Sequence, residues 1–241
     1  MKRACLQQNT NTYEQNHASS IRPLKINFVR MKHRFLILSF IAAALISGVF
    51  TSCEKDDDGP AATENKTLIL CTKDFTVWHY FSFSQDKVIG TGSADPANGD
   101  DAAWKQRTDW DIAFHYKDIR TNSGKSGIGQ GGMLEASSSV FADVLEAPAT
   151  GYTVDDSLYI RLSAAMPPVY TSSTGSSVCL DWARYNHGER AWVFAEKVFI
   201  VKTADGKYAK IWLKSFLDDA DVPGTITMDY AYQADGSTSL K

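Results

Sequence analysis

The stretch from Trp110 to Gly132, WDIAFHYKDIRTNSGKSGIGQGG, changes character half-way along, and that change constrains the fold of this chain more than any other segment. The first half alternates. Trp110, Ile112, Phe114 and Tyr116 fall on one side of an extended chain, and Asp109, Asp111, Ala113 and His115 on the other. A period of two marks a half-buried β-strand. The second half is glycine-rich and contains two nucleotide-binding patterns, both of which fail. Gly127-Ile128-Gly129-Gln130-Gly131-Gly132 fits G-x-G-x-x-G, a fingerprint that must open a helix whose N-terminus meets a pyrophosphate. The residues that follow, Met133 to Val140, hold three consecutive serines and no capped amphipathic pattern. Gly124-Lys125-Ser126 ends like a P-loop, but Ile119 occupies the position that needs the earlier glycine. The run is therefore read as a turn in which several glycines take positive φ.

Strand patterns dominate the rest. Leu68–Cys71, Thr76–Phe83, Lys87–Thr91, Asp109–Tyr116, Ser157–Leu162, Ser177–Trp182, Trp192–Lys202, Tyr208–Phe216 and Thr225–Tyr232 all read as strands. The last is the cleanest, with Ile226, Met228, Tyr230 and Tyr232 on one face. Ala204-Asp205-Gly206 separates two long strands as a tight hairpin turn would. Asp100–Arg107 and Ser139–Glu146 are helical or irregular. Pro167-Pro168 and the small polar residues after them leave Ala164–Ser177 outside regular structure. The expected fold is all-β, mainly antiparallel with a few short helices, in a single domain over residues 67–241.

The N-terminus reads as an export signal. Met31-Lys32-His33-Arg34 is a basic start, and Phe35 to Phe50 is an apolar run of signal-peptide length. Phe50-Thr51-Ser52-Cys53 is a relaxed lipobox, which makes Cys53 the lipidated residue in preference to an incidental cysteine after a cleaved signal. The signal peptide thus covers residues 31–53. Residues 1–30 are polar and unpatterned and read as an over-extended, unstructured start. Residues 54–66, opening with Glu54-Lys55-Asp56-Asp57-Asp58, form an acidic flexible tether. The N-terminus thus reads as that of an exported, lipid-anchored protein.

Of the 25 Lys+Arg and 28 Asp+Glu, residues 1–53 hold seven and one, so the remainder carries 18 basic and 27 acidic side chains. An acidic surface without basic clusters argues against nucleic-acid binding. Cys71 and Cys179 could pair in an oxidising compartment or stay as buried thiols. No Ser/His/Asp or Cys/His arrangement stands at a recognisable spacing, and no enzyme is expected.

The Trp110–Gly132 stretch resembles the HmuY-like haem-binding lipoproteins of Bacteroidetes. Their pattern W-D-x-A-x-H-x-x-D-x-R-x-N-x-G-x-S-G-x-G-x-G-G is present at every fixed position. Trp78–Phe83, Gly151–Asp155, Lys197-Val198-Phe199 and Ala204-Asp205-Gly206 are similar to further family segments. The Cys53-Glu54-Lys55-Asp56-Asp57 start resembles the surface-export signal of Bacteroidetes lipoproteins. The resemblance spans roughly Leu68 to Tyr232, and it implies an iron-acquisition protein, a hemophore, that binds haem and passes it to an outer-membrane TonB-dependent receptor. Host haemoproteins are the implied source and the lipid anchor the only membrane contact. The alternative is a non-haem ligand on the same fold: another tetrapyrrole, a glycan or a protein.

The resemblance also implies the iron ligands. Haem needs two donors facing each other across the porphyrin, such as imidazole or thioether. His187, in the turn Tyr185-Asn186-His187-Gly188-Glu189, matches a loop that carries one axial ligand. Met166 is the only thioether in the loop that supplies the other, where the family's best-known member has histidine. Met133 is a reserve ligand. Tyr170, Trp182, Tyr185 and Trp192 flank the two loops as walls of the haem slot. His115 is read as a surface or hydrogen-bonded histidine and His79 as a satisfied core histidine.

Overall fold

The computed structural model describes residues 62–241. The start, the signal peptide, the lipidated Cys53 and most of the tether lie outside the described residues. Thirteen strands follow in order: β1 (Asn65–Cys71), β2 (Val77–Ser82), β3 (Lys87–Ser93), β4 (Ile112–His115), β5 (Asp118–Thr121), β6 (Gly132–Glu135), β7 (Asp156–Arg161), β8 (Tyr170–Gly175), β9 (Ala183–Asn186), β10 (Ala191–Phe194), β11 (Val198–Lys202), β12 (Tyr208–Leu217) and β13 (Pro223–Gln233). Among the described residues a single α-helix, α1 (Asp100–Lys105), joins β3 to β4, and short 3₁₀ turns occupy Pro96–Asn98 and Phe141–Asp143. The fold is mostly antiparallel β, as its alternation predicts. β1 starts at Asn65, inside the segment read as tether.

Two sheets carry the core. One is five-stranded, ordered β1-β13-β12-β11-β6, and the other four-stranded, ordered β3-β2-β4-β5. Phe81, Ile112, Phe114 and Ile119 from the smaller sheet pack against Phe199, Val201, Ile211, Leu213, Ile226 and Met228 from the larger. Each sheet is also covered on its outer face. Trp78, Tyr80, Trp110 and Ala113 pack with Trp104 of α1 and Ile160 of β7. Val198, Ile200 and Tyr208 pack with Val144, Ala147 and the C-terminal Leu240. β4 is therefore not half-buried. All four of its residues are buried, because the small sheet lies between two apolar layers.

The glycine run differs from its expected form in an instructive way. Of its glycines only Gly124 has positive φ, at 52°. Gly127, Gly129 and Gly131 are small because Asn122 sits against them, and Gly132 because Tyr152 and Thr153 do. A Cβ on Gly127 would lie 2.0 Å from Asn122 Oδ1, and one on Gly129 or Gly131 would lie 2.7 or 2.6 Å from Asn122 O. Asn122 is fully buried. Its Nδ2 donates to Arg107 O and to Trp110 O, each at 2.9 Å, and its Oδ1 accepts from Gly129 N at 3.0 Å. Its backbone N–H donates to Asp111 O and its carbonyl accepts from Gly131 N. The run is a close-packed collar around one amide.

The other fixed residues of the stretch are equally structural. Asp111 accepts from Phe83 N at 2.8 Å and from Ala204 N at 3.1 Å, tying the β2 end to the β11–β12 turn of the other sheet. Burial raises the Asp111 pKa against those two amides. His115 is fully buried, with Nε2 2.7 Å from Phe75 O. Arg120 is buried with its guanidinium 3.7 Å from the Trp78 ring, and it donates to Asp101 at 2.5 Å and to Ser173 Oγ at 3.1 Å. Burial penalises the Asp101 carboxylate, but Arg120 and Lys105 outweigh it and hold its pKa low. Ser126 Oγ donates to Thr174 Oγ1 at 2.9 Å, which docks β8 on the run.

Elsewhere the sequence pattern and the structure part in places. Ser177–Trp182 is a turn rather than a strand, and Trp192–Lys202 is two strands broken at residues 195–197. β8 lies within the segment read as irregular. The Ala204-Asp205-Gly206 turn forms as expected, closed by Thr203 N donating to Lys207 O, with Gly206 at φ 87°. Cys179 is a free buried thiol, so it does not pair with Cys71. Burial pushes the Cys179 pKa up to about 12. His79 is only partly buried and its Nε2 has no hydrogen-bond partner, so it is not the satisfied core histidine expected.

Two outcomes follow. Asn122→Ala strands two carbonyls and one N–H in the core and opens the collar, so urea unfolding should show a loss of about 2–4 kcal/mol. Asp155, just before β7, accepts from Thr121 N and Thr121 Oγ1 at 2.8 and 2.7 Å, yet burial outweighs these bonds and lifts its pKa from 3.8 to about 6. The native state then holds this proton more tightly than the unfolded chain does. This contribution is present at low pH and is lost as pH rises from about 4 to about 6. Stability measured across that window should fall more steeply in wild type than in Asp155→Asn; parallel curves would contradict the assignment.

Candidate functional site

Two hairpins stand outside both main sheets, and they carry the two expected donors. β7 pairs only with β8, and β9 only with β10. In the first hairpin, Arg161 lies opposite Tyr170, and the connecting loop contains Met166. Residues 164–167 bend rather than run extended, and the Met166–Pro167 peptide is cis. Met166 is 84% exposed. The loop is held from its base: Arg161 Nε donates to Ser163 O at 2.5 Å, and Nη2 lies 3.5 Å from Ala165 O. Ser163 Oγ is buried without a partner.

The second hairpin turns at His187, which is exposed. Asn186 shapes that turn, its Oδ1 accepting from Gly188 N at 3.0 Å and Glu189 N at 3.3 Å. The asparagine and glycine beside His187 thus do what their local chemistry predicts. Neither Met166 nor His187 makes a hydrogen bond through its side chain among the described residues, so both donor atoms are free.

A continuous row of rings joins the two hairpins. His187 meets the Tyr185 ring edge-on at 5.1 Å; Tyr185 meets Trp192 at 5.7 Å, and Trp192 meets Phe216 at 5.1 Å. Phe216 meets Tyr116 at 4.7 Å, and Tyr116 meets Phe75 at 4.3 Å. The Arg161 guanidinium lies 5.1 Å from the Phe75 ring. The row thus runs from the His187 tip to the foot of the Met166 loop. Phe216 is buried, Phe75, Tyr116 and Trp192 are half-buried, and Tyr185 is exposed. Burial raises the Tyr116 pKa and the nearby Arg161 charge opposes it. No hydrogen bond, ion pair or ring contact joins the two loops directly among the described residues.

The remaining site candidates separate. Tyr185 and Trp192 belong to the row. Tyr170 is 58% exposed at the start of β8 and makes no ring contact among the described residues. Trp182 is not a slot wall. It is buried in the main core, donates from Nε1 to Lys117 O at 2.8 Å, and backs Phe216 from behind. Met133 is fully buried in β6, with Ser176 Oγ 3.7 Å from its sulfur, and in that position it offers no ligand. Phe75 and Tyr116 were missed. Tyr116 could have been found by following the Ile112-Phe114 face one step past the end of β4; Phe75, in an irregular segment, carried no pattern.

A family model for HmuY protein matches residues 74–230. The chain belongs to the HmuY family. Solved structures of similar fold include a HmuY-like protein of Bacteroides vulgatus, 24% identical, covering 70% of this chain and 92% of that one, with a TM-score of 0.57. The apo HmuY analogue of Tannerella forsythia is 22% identical over 73% of this chain and 99% of its own, with a TM-score of 0.56. Apo PinO from Porphyromonas gingivitis is 22% identical over 71% and 98%, with a TM-score of 0.57. At these identities the likeness is one of fold. No curated protein matches the chain. The HmuY scaffold and the ring row are thus seen together, and the row rests on Trp192. Replacing Trp192 by Ala removes the ring between Tyr185 and Phe216. Amide exchange should then accelerate in β9–β10 by about one to two orders of magnitude while β12 and β13 keep their protection.

Proposed function

We propose that this protein binds haem between the β7–β8 and β9–β10 loops, where Met166 and His187 would hold the iron. In this reading it is a lipoprotein, anchored through Cys53 at the outer-membrane surface, that hands haem to a TonB-dependent receptor. The row of rings from His187 to the foot of the Met166 loop carries the reading. A flat apolar macrocycle needs an aromatic wall and donors at its two faces, and membership of the HmuY family puts haem first among such ligands.

The residues fit the group. A thioether and an imidazole, both without protein partners, are donors that iron accepts. Bound haem would supply the iron that these two side chains grip. The chain itself holds the macrocycle edge against Tyr185, Trp192, Tyr116 and Phe75, and Arg161 fixes the backbone before Met166. Binding and release, rather than bond-making, are the activity. Host haemoproteins are the source that such a carrier would draw on.

A second reading keeps the scaffold and changes the ligand to another tetrapyrrole, a glycan or a protein. Tyr159 and Tyr170, 77% and 58% exposed, favour it, since the register of β7 and β8 sets them diagonally across one face of the hairpin. A haem titration in oxidising and in reducing buffer separates the two. A sharp red-shifted Soret band with low-spin visible bands is expected in at least one state, and no spectral change in either sinks the haem reading. His187→Ala and Met166→Ala should each lower affinity by about tenfold or more and alter the low-spin bands; unchanged spectra would place the ligands elsewhere.

A further inference from the structure

The charge around the ring row does not match the ring row itself. Arg161, half-buried, has no carboxylate partner among the described residues. The acidic side chains of the domain are plentiful, and they pair with other cations: Asp101 with Lys105 and Arg120, Asp109 with Arg107, Asp218 with Lys73, Asp229 with Lys214. A guanidinium left unpaired in an acidic protein, with its face near an aromatic ring, has the form of an anion-binding group. Only part of its donor fork is used. Nε and Nη2 serve the Ser163 and Ala165 carbonyls, and Nη1 has no protein acceptor among the described residues. In the same loop Ser163 Oγ is a second polar atom that is buried and unpartnered.

Other cations near the row differ. Lys117 Nζ donates to Leu180 O at 3.0 Å. Arg184 and Arg190 are exposed on the β9–β10 hairpin, and neither touches a ring of the row. Arg161 alone among them combines contact with the row, a spare donor and a neighbouring orphan hydroxyl.

We propose that Arg161 binds a carboxylate of the ligand, so that the site selects a flat aromatic macrocycle bearing acid side chains over the same macrocycle with those acids masked. This deepens the haem reading and rests on it. Arg161 would place the acid edge at the foot of the β7–β8 loop, while its Nε and Nη2 keep that loop in position. The spare donor and the charge then contribute to ligand choice, and the bonds to Ser163 and Ala165 to loop geometry. The two roles can be separated by substitution. Glutamine can still donate to a loop carbonyl but carries no charge, whereas lysine keeps the charge and loses the fork.

The test compares iron protoporphyrin IX with its dimethyl ester on wild type, R161Q and R161K, reading dissociation constants from Soret absorbance and from quenching of tryptophan fluorescence. Wild type should prefer the diacid by about tenfold, and the preference should shrink with added salt. R161Q should bring the two ligands within about threefold of each other, by weakening the diacid rather than the ester. R161K should retain part of the preference. An unchanged diacid-to-ester ratio in R161Q overturns the proposal, as does equal weakening of both ligands, which would mark Arg161 as a loop support only. If wild type binds neither porphyrin, the haem reading itself fails. If it binds both without preference, only the role given to Arg161 fails.

Discussion

The placement of everything else in this fold depends on one buried amide. Asn122 holds two carbonyls before β4 and the Gly129 N–H on a single side chain, and its backbone carbonyl accepts from Gly131 N. Next to it, Asp111 reaches across to the turn between β11 and β12. The two residues fix where the smaller sheet sits on the larger, a relation that apolar packing alone would leave free to slide. Such a polar knot is stable only if fully satisfied, since each unmet group in the interior costs about 1–3 kcal/mol. Five hydrogen bonds to Asn122 meet that demand. The glycines are the steric condition for it, because a side chain at Gly127 would meet the Asn122 amide and one at Gly129 or Gly131 the Asn122 carbonyl.

From this knot the structure builds outwards to the proposed site. Asp155 locks the end of β5 to the start of β7, and Lys125 N donates to its carbonyl. Ser126 fastens β8 through Thr174. The hairpin bearing Met166 is thus seated on the glycine run, although no residue of the run belongs to the ring row. Trp182 has an analogous place behind the second hairpin, supporting Phe216 from the core. Of the stretch that identifies the family, Tyr116 belongs to the ring row, and the glycine run acts through the scaffold beneath it.

Legibility in the sequence followed burial. β12 and β13 show clean alternation because one face of each packs on the main core, and both were found close to their true bounds. β8, with the sequence YTSSTG, reads as irregular. It belongs to a peripheral hairpin, so nothing forces an apolar face on it, and two prolines precede it. Ser177–Trp182 misled in the opposite sense: Cys179 and Trp182 are buried because a turn drops them into the core, which imitates a strand pattern. The turn at His187 is legible from the asparagine and glycine around it, whereas the ligand role proposed for His187 comes from the family resemblance alone. Tyr116 continues the Ile112-Phe114 face, but Phe75 carries no local pattern, and its meeting with Tyr116 is a product of how the chain returns on itself.

The two hairpins share no strand ladder with either main sheet. A residue added to or removed from a strand of the main sheets would slip the register and turn a buried face towards solvent. The same change in the β7–β8 or β9–β10 loop alters no ladder but its own. Length and donor type at those two tips are consequently almost free variables of this architecture. A lineage built on it can exchange one bound molecule for another by small edits at the tips while the knot beneath stays as it is. Shared ancestry in such a scaffold carries far more information about how the chain folds than about what it holds.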